Sequence, residues 1–200
     1  MTVPYHLVTH ALIGAEPPVV WECLSDVERW PSWWRWLRRV ELVEEGDEDG
    51  VGAVFTQSIT SPLLYGFTWH ARIDRVFEPS LIELASWGAL EGRGRFHLCP
   101  EGEGRTHFSF TWLVTTGKRW MNLVAPIARP AFVWSHDRLM ADFARGLARV
   151  AGAPLLGVGH RSLRPGDDGF FEMPSLSEED DRRHPDQQGV DGEGHQADPT

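Results

Sequence analysis

Four polar residues interrupt apolar patterns in this 200-residue chain, and each is of a type that can do chemistry. Gln57 continues the face of Val51, Ala53, Phe55 and Ile59 in a stretch of period two. Arg75 continues the face of Phe67, Trp69, Ala71, Ile73 and Phe77, and Glu83 shares one with Leu81, Ala85 and Trp87. His136 lies on a helical stripe with Phe132, Met140, Phe143, Leu147 and Val150. In this register all four point into one apolar site, where a few polar groups fix a ligand's orientation. His136 is then placed for general acid–base transfer, moving a proton for an aldol condensation or a dehydration. Arg75 would polarise a carbonyl, with Glu83 the other candidate helper. A plainer reading competes. A mid-helix histidine on an apolar face is commonly a satisfied core residue, and Arg75 and Glu83, near strand ends, either stay in solvent or pair with each other. A one-residue slip in register would turn each strand residue to the other face.

The segment Val27–Val40, VERWPSWWRWLRRV, packs Trp30, Trp33, Trp34 and Trp36 into seven positions. Three readings fit it: core packing, the mouth of a ligand cavity, or contact with a membrane or partner surface. On a helix Trp30, Trp33 or Trp34, and Leu37 share one face, while Trp36 falls on another. Arg35, Arg38 and Arg39 supply some of the basic charge that an interfacial helix carries. Trp69, Trp87 and Trp112 read as pocket or core.

The elements that must position these residues follow from periodicity. Residues 5–14 read as a strand. Glu16-Pro17-Pro18 opens a short helix carrying Val20, Cys23 and Leu24, since proline suits a first turn. Asp26 is the N-cap candidate of a second short helix, with Pro31 near its start. The period then becomes two. Strands are expected in RVELVEE, VGAVFTQSIT, YGFTWHARIDRVFE, LIELASWG, GRGRFHLCP and RTHFSFTWLVTT. Their short turns make neighbours antiparallel. From about 117 to 151 the pattern is helical, interrupted by Pro126 and Pro130 and ended by Gly152 and Pro154. This predicts an α+β domain over residues 1–152: about seven antiparallel strands in a curved sheet wrapped on one long C-terminal helix, with two short helices after the first strand. A curved sheet cannot press along the whole of a straight rod, so the packing leaves a pocket between them.

Composition sets the bounds. Residues 153–200 hold eleven acids against four arginines, and residues 1–152 hold eighteen against fifteen bases. The acidic, Gly- and Pro-rich end reads as a disordered tail, with PLLGVG and Phe170-Phe171 its only contact points. The rest is nearly neutral, without the basic field that a nucleic-acid partner needs. Cys23 and Cys99 stand apart without a CxxC or disulfide pattern, no apolar run is long enough to span a membrane, and no leader segment is visible. A cytoplasmic setting is expected. No HExxH motif occurs among the nine scattered histidines, Gly92-Arg93-Gly94 lacks the following helix of a dinucleotide loop, and no serine has a GxSxG setting. No metal and no cofactor is expected.

Three stretches carry a resemblance: DVERWPSWW after a short helix, LEGRGRFHL in a late strand, and WMNLVAPIARPAFVWSHDRLM in the last helix. With the order of elements they resemble the START-like (SRPBCC) helix-grip superfamily, and within it the polyketide cyclase/dehydrase and lipid-transport group, over residues 3–151. The resemblance implies a cavity for a hydrophobic small molecule, lipid-like or polyketide/aromatic, bound or carried. It allows a cyclase or aromatase using His136 and Arg75, and does not require catalysis. The residues expected to line the cavity are Trp33, Trp34, Phe55, Gln57, Trp69, Arg75, Glu83, Trp87, Phe110, Trp112, Phe132, His136 and Met140. Any membrane contact through the Trp/Arg segment would be transient and at the surface.

Overall fold

A computed structural model describes residues 4–63, 65–116 and 119–163, with residues 116, 119–128 and 163 described by backbone alone. Strand β1 (Tyr5–Ile13) leads into α1 (Pro17–Ser25), a 3-10 turn (Val27–Arg29) and the single turn α2 (Trp30–Trp33). Then come β2 (Leu37–Glu44), β3 (Val54–Thr60), β4 (Gly66–Phe77), β5 (Leu81–Gly88), β6 (Leu90–Pro100) and β7 (Thr106–Thr116). Helix α3 (Arg119–Val150) and strand β8 (Leu155–Leu163) follow. The described strands form one antiparallel sheet in the order β2-β3-β4-β5-β6-β7-β1-β8. This is the helix-grip arrangement expected, with an eighth strand added.

The expected boundary at residue 152 therefore moves. Gly152, at φ 66°, ends α3 in the left-handed conformation that glycine adopts without strain. Pro154 then accepts a hydrogen bond from the Gly14 N–H at 2.9 Å, and the chain runs back along β1. The PLLGVG patch is the start of β8, not a contact point in a tail. Residues 164–200, including Phe170-Phe171, lie outside the described residues.

Alternation explains most of the core. Leu7, Thr9, Ala11 and Ile13 of β1 face inward beside Phe108, Phe110 and Val114 of β7, and all are buried. Phe143, Ala144, Leu147 and Ala148 of α3 cover them. Two glycines of β6 permit the bend. A Cβ on Gly92 would lie 2.0 Å from the Leu113 carbonyl oxygen, and one on Gly94 would lie 3.1 Å from Leu84 and 3.2 Å from Phe110. The β2 edge is fenced with Arg38, Arg39, Glu41 and Glu44, charges that discourage pairing with another chain. The backbone of α3 stays helical through Pro126 and Pro130, where interruptions were expected.

Candidate functional site

An inner chamber of about 70 Å³ lies between the concave sheet face and α3. Strand β3 contributes Gln57 and Ile59, and β4 contributes Phe67, Trp69 and Ala71. Leu84, Leu90, Phe96, Phe110 and Trp112 come from β5 to β7; His136, Leu139, Met140 and Phe143 come from α3. Trp30 and Trp34 close the remaining side. Of the expected lining residues, the fold brings together Trp34, Gln57, Trp69, Phe110, Trp112, His136 and Met140.

The others go elsewhere, each for a local reason. Strand β4 keeps its alternation through Ile73 and then carries a bulge between Ile73 and Arg75. The extra residue rotates the strand end, as bulges do. Val76 takes the inward position, and Arg75 turns out to place its guanidinium 4.5 Å from the Phe77 ring centre. Its expected catalytic role has no geometric basis. On β5 the inward register is Ile82, Leu84 and Ser86, one residue off the expected one. Glu83 consequently lies on the outer face, where it accepts from Arg95 Nε at 2.7 Å. Trp87, 42% exposed, stacks on His70 outside, with ring centres 5.4 Å apart. Phe132 packs on Tyr5 at 4.4 Å, one side of the chamber away. Trp33 is buried against α3, where a Cβ on Gly146 would come within 2.7 Å of its ring.

Phe55 belongs to a second, larger recess of about 470 Å³. Its apolar floor includes Trp21, Val27, Phe55, Ile73 and Ile82, and Glu48, Asp49 and Glu78 stand at its rim. The two spaces follow one another along the same strands, since Phe55, Ile73 and Ile82 are each two residues from Gln57, Ala71 and Leu84. The tryptophan segment borders both, with Val27 lining the recess and Trp30 and Trp34 the chamber.

The tryptophan segment is thus mainly core. Trp30, Trp33 and Trp34 are buried and gather around Phe143, with ring centres 5.0 to 5.1 Å from it. Trp30 Nε1 donates to the Leu24 carbonyl at 3.0 Å, and Trp34 Nε1 to that of Leu139 at 3.1 Å. Trp36 is half-buried under the Arg35 guanidinium. The arginines have protein partners: Arg35 with Asp142 at 3.2 Å, Arg38 with Thr60 at 3.2 Å, and Arg39 with Glu41. A membrane-docking surface built on these rings is not what the fold presents. Among the described residues no helix is long and apolar enough to cross a membrane.

Inside the chamber the polar inventory is short. His136 is buried, with Nδ1 3.4 Å from Asp137 Oδ1. Burial holds its imidazole below the usual histidine range, and Asp137 partly offsets this. Its Nε2 has no hydrogen-bond partner among the described residues, and neither has the buried Trp112 Nε1. Their rings are 5.9 Å apart. Gln57 is the third polar side chain in the wall. Such a set can orient a guest by hydrogen bonds and, at His136, accept a proton.

Trp30, Ile59, Phe67, Ala71, Leu84, Leu90, Phe96, Leu139 and Phe143 escaped the expected lining. Phe143 was signalled by the helical stripe and Ile59, Phe67 and Ala71 by the alternation of their strands; Leu139 was not on that stripe, and the β5 and β6 residues needed the register.

The family model for polyketide cyclase / dehydrase and lipid transport matches residues 13–144. No curated protein matches the chain significantly in sequence. Solved structures share the fold. An aromatase/cyclase, Zhui, from Streptomyces is 21% identical, with a TM-score of 0.62 over 74% of this chain and 93% of its own. A START superfamily protein from Mycobacterium smegmatis is 14% identical, with a TM-score of 0.61 over 74% and 97%. A conserved protein from Geobacillus kaustophilus is 16% identical, with a TM-score of 0.60 over 78% and 99%.

Proposed function

The chain belongs to the polyketide cyclase/dehydrase and lipid-transport family, and from that membership we propose that it binds an apolar small molecule between its sheet and α3. The observation that supports this most is the make-up of the chamber wall. Rings from Trp30, Trp34, Phe67, Trp69, Phe96, Phe110, Trp112 and Phe143 enclose it, with three polar groups among them. Ligand sites have this pattern: apolar walls with a few placed polar atoms. A packed core of ordinary density is expected to pair its buried polar atoms, and here His136 Nε2 and Trp112 Nε1 have no partner among the described residues. Two free cysteines fit the reducing, cytoplasmic setting that goes with this reading. The test is direct. Native mass spectrometry after gentle purification should find a small-molecule adduct, and a panel of aromatic and acyl compounds should quench the chamber tryptophans. A protein that carries no adduct and is quenched by none of the panel would refute the reading.

A second reading has one observation in its favour. The unpartnered His136 Nε2, with Asp137 behind Nδ1, is the arrangement of a general base. On this reading the protein moves a proton on its bound guest, as a cyclase or dehydratase does, with His136 and Asp137 as the pair and without Arg75. Should His136→Ala leave turnover of every accepted substrate intact, the enzymatic reading falls and the binding one stands.

A further inference from the structure

The polar side chains of the chamber wall differ in what they leave open. His136 Nε2 and Trp112 Nε1 are unpartnered but sealed, with almost no accessible surface. Gln57 is only 6% exposed, yet among the described residues its side-chain amide makes no hydrogen bond, and neither its oxygen nor its nitrogen is one of the sealed atoms. Its cross-strand neighbours, Val40 on β2 and Trp69 on β4, offer it no bond. The inward register of β3 turns it to the chamber, which it lines together with Ile59. An amide that has left water without gaining a partner weakens a fold. Strand β3 carries this one on a face it otherwise gives to Ala53, Phe55 and Ile59, where an aliphatic side chain would pack at no such cost. A guest that supplies the missing hydrogen bonds accounts for it.

The chemistry of that guest follows from the amide. Gln57 presents a carbonyl oxygen that accepts and, beside it, an NH₂ group that donates. A guest that answers both has a donor next to a carbonyl, as a carboxamide or a lactam has, and meets Gln57 edge to edge in two N–H···O bonds. A ketone or ether oxygen leaves the Gln57 carbonyl unpaired; a hydrocarbon leaves both groups so. Charge adds a second condition. The chamber lining includes no Asp, Glu, Lys or Arg, so a carboxylate or an ammonium group drawn in from water would lack a counter-charge. We propose that Gln57 is the recognition residue of the chamber and that it selects a neutral guest bearing a carboxamide or lactam group. This rests on the chamber being the ligand site.

The experiment titrates the full-length protein with benzamide, benzoate and ethylbenzene at neutral pH, by calorimetry and tryptophan fluorescence. These probes share a ring and carry a neutral amide, an anion or a hydrocarbon. Benzamide should bind about tenfold or more tighter than benzoate, and the benzamide-to-ethylbenzene affinity ratio should fall about tenfold or more in Gln57→Leu. In the unmodified protein benzamide, and not ethylbenzene, should shift the side-chain ¹H–¹⁵N resonances of Gln57, a measurement that needs no variant. The guest-free Gln57→Leu protein should also show a raised urea midpoint, which loss of a structural hydrogen bond would lower. Three results each overturn the role of Gln57 while apolar binding stands: a ratio unchanged in the variant, Gln57 resonances that benzamide leaves in place, or a lowered urea midpoint. Refusal of benzamide by a protein that binds other aromatic compounds does the same, and benzoate binding as tightly as benzamide overturns the selection for a neutral guest. Failure of all three probes and of the wider aromatic and acyl panel overturns the role of Gln57 and the binding reading together.

Discussion

Burial of His136 makes a charged imidazole costly in the folded protein, and Asp137 only partly relieves this. The sign of the resulting pH dependence follows. Above the ordinary histidine value of about 6.5 the ring is neutral in both folded and unfolded chains. Below it the unfolded chain takes a proton that the folded chain refuses until its own lower pKa is reached. Stability therefore falls as the pH drops through that interval, by up to about 1.4 kcal/mol per pH unit for each such group. His6, His10, His97 and His160 are also lowered by burial and add slopes of the same sign. The charged and titratable groups around His136 are Asp137 and His160, with Arg145 acting on the latter. His136→Gln should flatten, without abolishing, the loss of urea stability between pH 7.5 and 5.5; an unchanged slope would show that the fold does not lower the ring's pKa. Arg75 and Glu83 carry the opposite expectation. Both lie outside the chamber, so Arg75→Ala and Glu83→Gln should leave guest affinity within about twofold, and Arg75→Ala should leave stability within about 1 kcal/mol, whereas Glu83→Gln costs more because it strips the mostly buried Arg95 of this carboxylate. A large loss of binding in either would mean that β4 and β5 had been given the wrong face. The sequence alone could place Gln57, Trp69, Phe110 and Trp112 because strict alternation holds along those stretches. It could not place Arg75, since one extra residue in β4 reverses the face beyond Ile73 and leaves no mark in residue type.

The same logic extends to whole elements. Strands with bulky alternating side chains were legible, and so was the apolar stripe of α3. Strand β8 was not. Leu155–Leu163 contains Gly157 and Gly159, residues that weaken a strand locally, and its order comes from pairing with a β1 more than a hundred residues earlier. No local pattern reports such a partner. Yet β8 covers one whole edge of β1, and His160 Nδ1 meets Thr9 Oγ1 at 3.0 Å across the pair. Ending the chain after Gly152 should thus do more than remove a tail. It frees several ladder hydrogen bonds worth about 1 kcal/mol each, so urea unfolding should show a loss of at least about 2 kcal/mol. A truncated protein as stable as the full chain would make β8 an ornament of the sheet. A subtler element is β6, whose inward glycines make the bend. Gly94→Val would push carbon into Leu84 and Phe110, costing about 1–3 kcal/mol by overpacking and filling part of the chamber, with guest binding reduced as well.

At the scale of the whole molecule, one concave face holds two spaces in series, a small aromatic chamber and a wider, acid-rimmed recess. The tryptophan-rich turn borders both, through Val27 on the recess and Trp30 and Trp34 on the chamber, which gives a reason for so much aromatic area in one short segment. A single turn of helix, Trp30–Trp33, has little surface of its own, and large rings let it reach across to Phe96 on the sheet and Phe143 on α3. Trp30 is fixed by its hydrogen bond to Leu24 and by edge-on contacts with those rings, geometry that favours a stable wall. Trp30 bounds one side of the chamber and so bears on the size of guest that it can hold. Removing its ring should enlarge the chamber. Trp30→Ala should cost about 3–5 kcal/mol, the usual loss for truncating a buried aromatic residue. In exchange the variant should bind fused-ring compounds more tightly, relative to single-ring ones, than the unmodified protein does. A calorimetric series from one ring to four, run on both proteins below the variant's unfolding temperature, reads that ratio directly. Identical ratios would mean that Trp30 is packing alone and that the chamber's size is set by the sheet and α3.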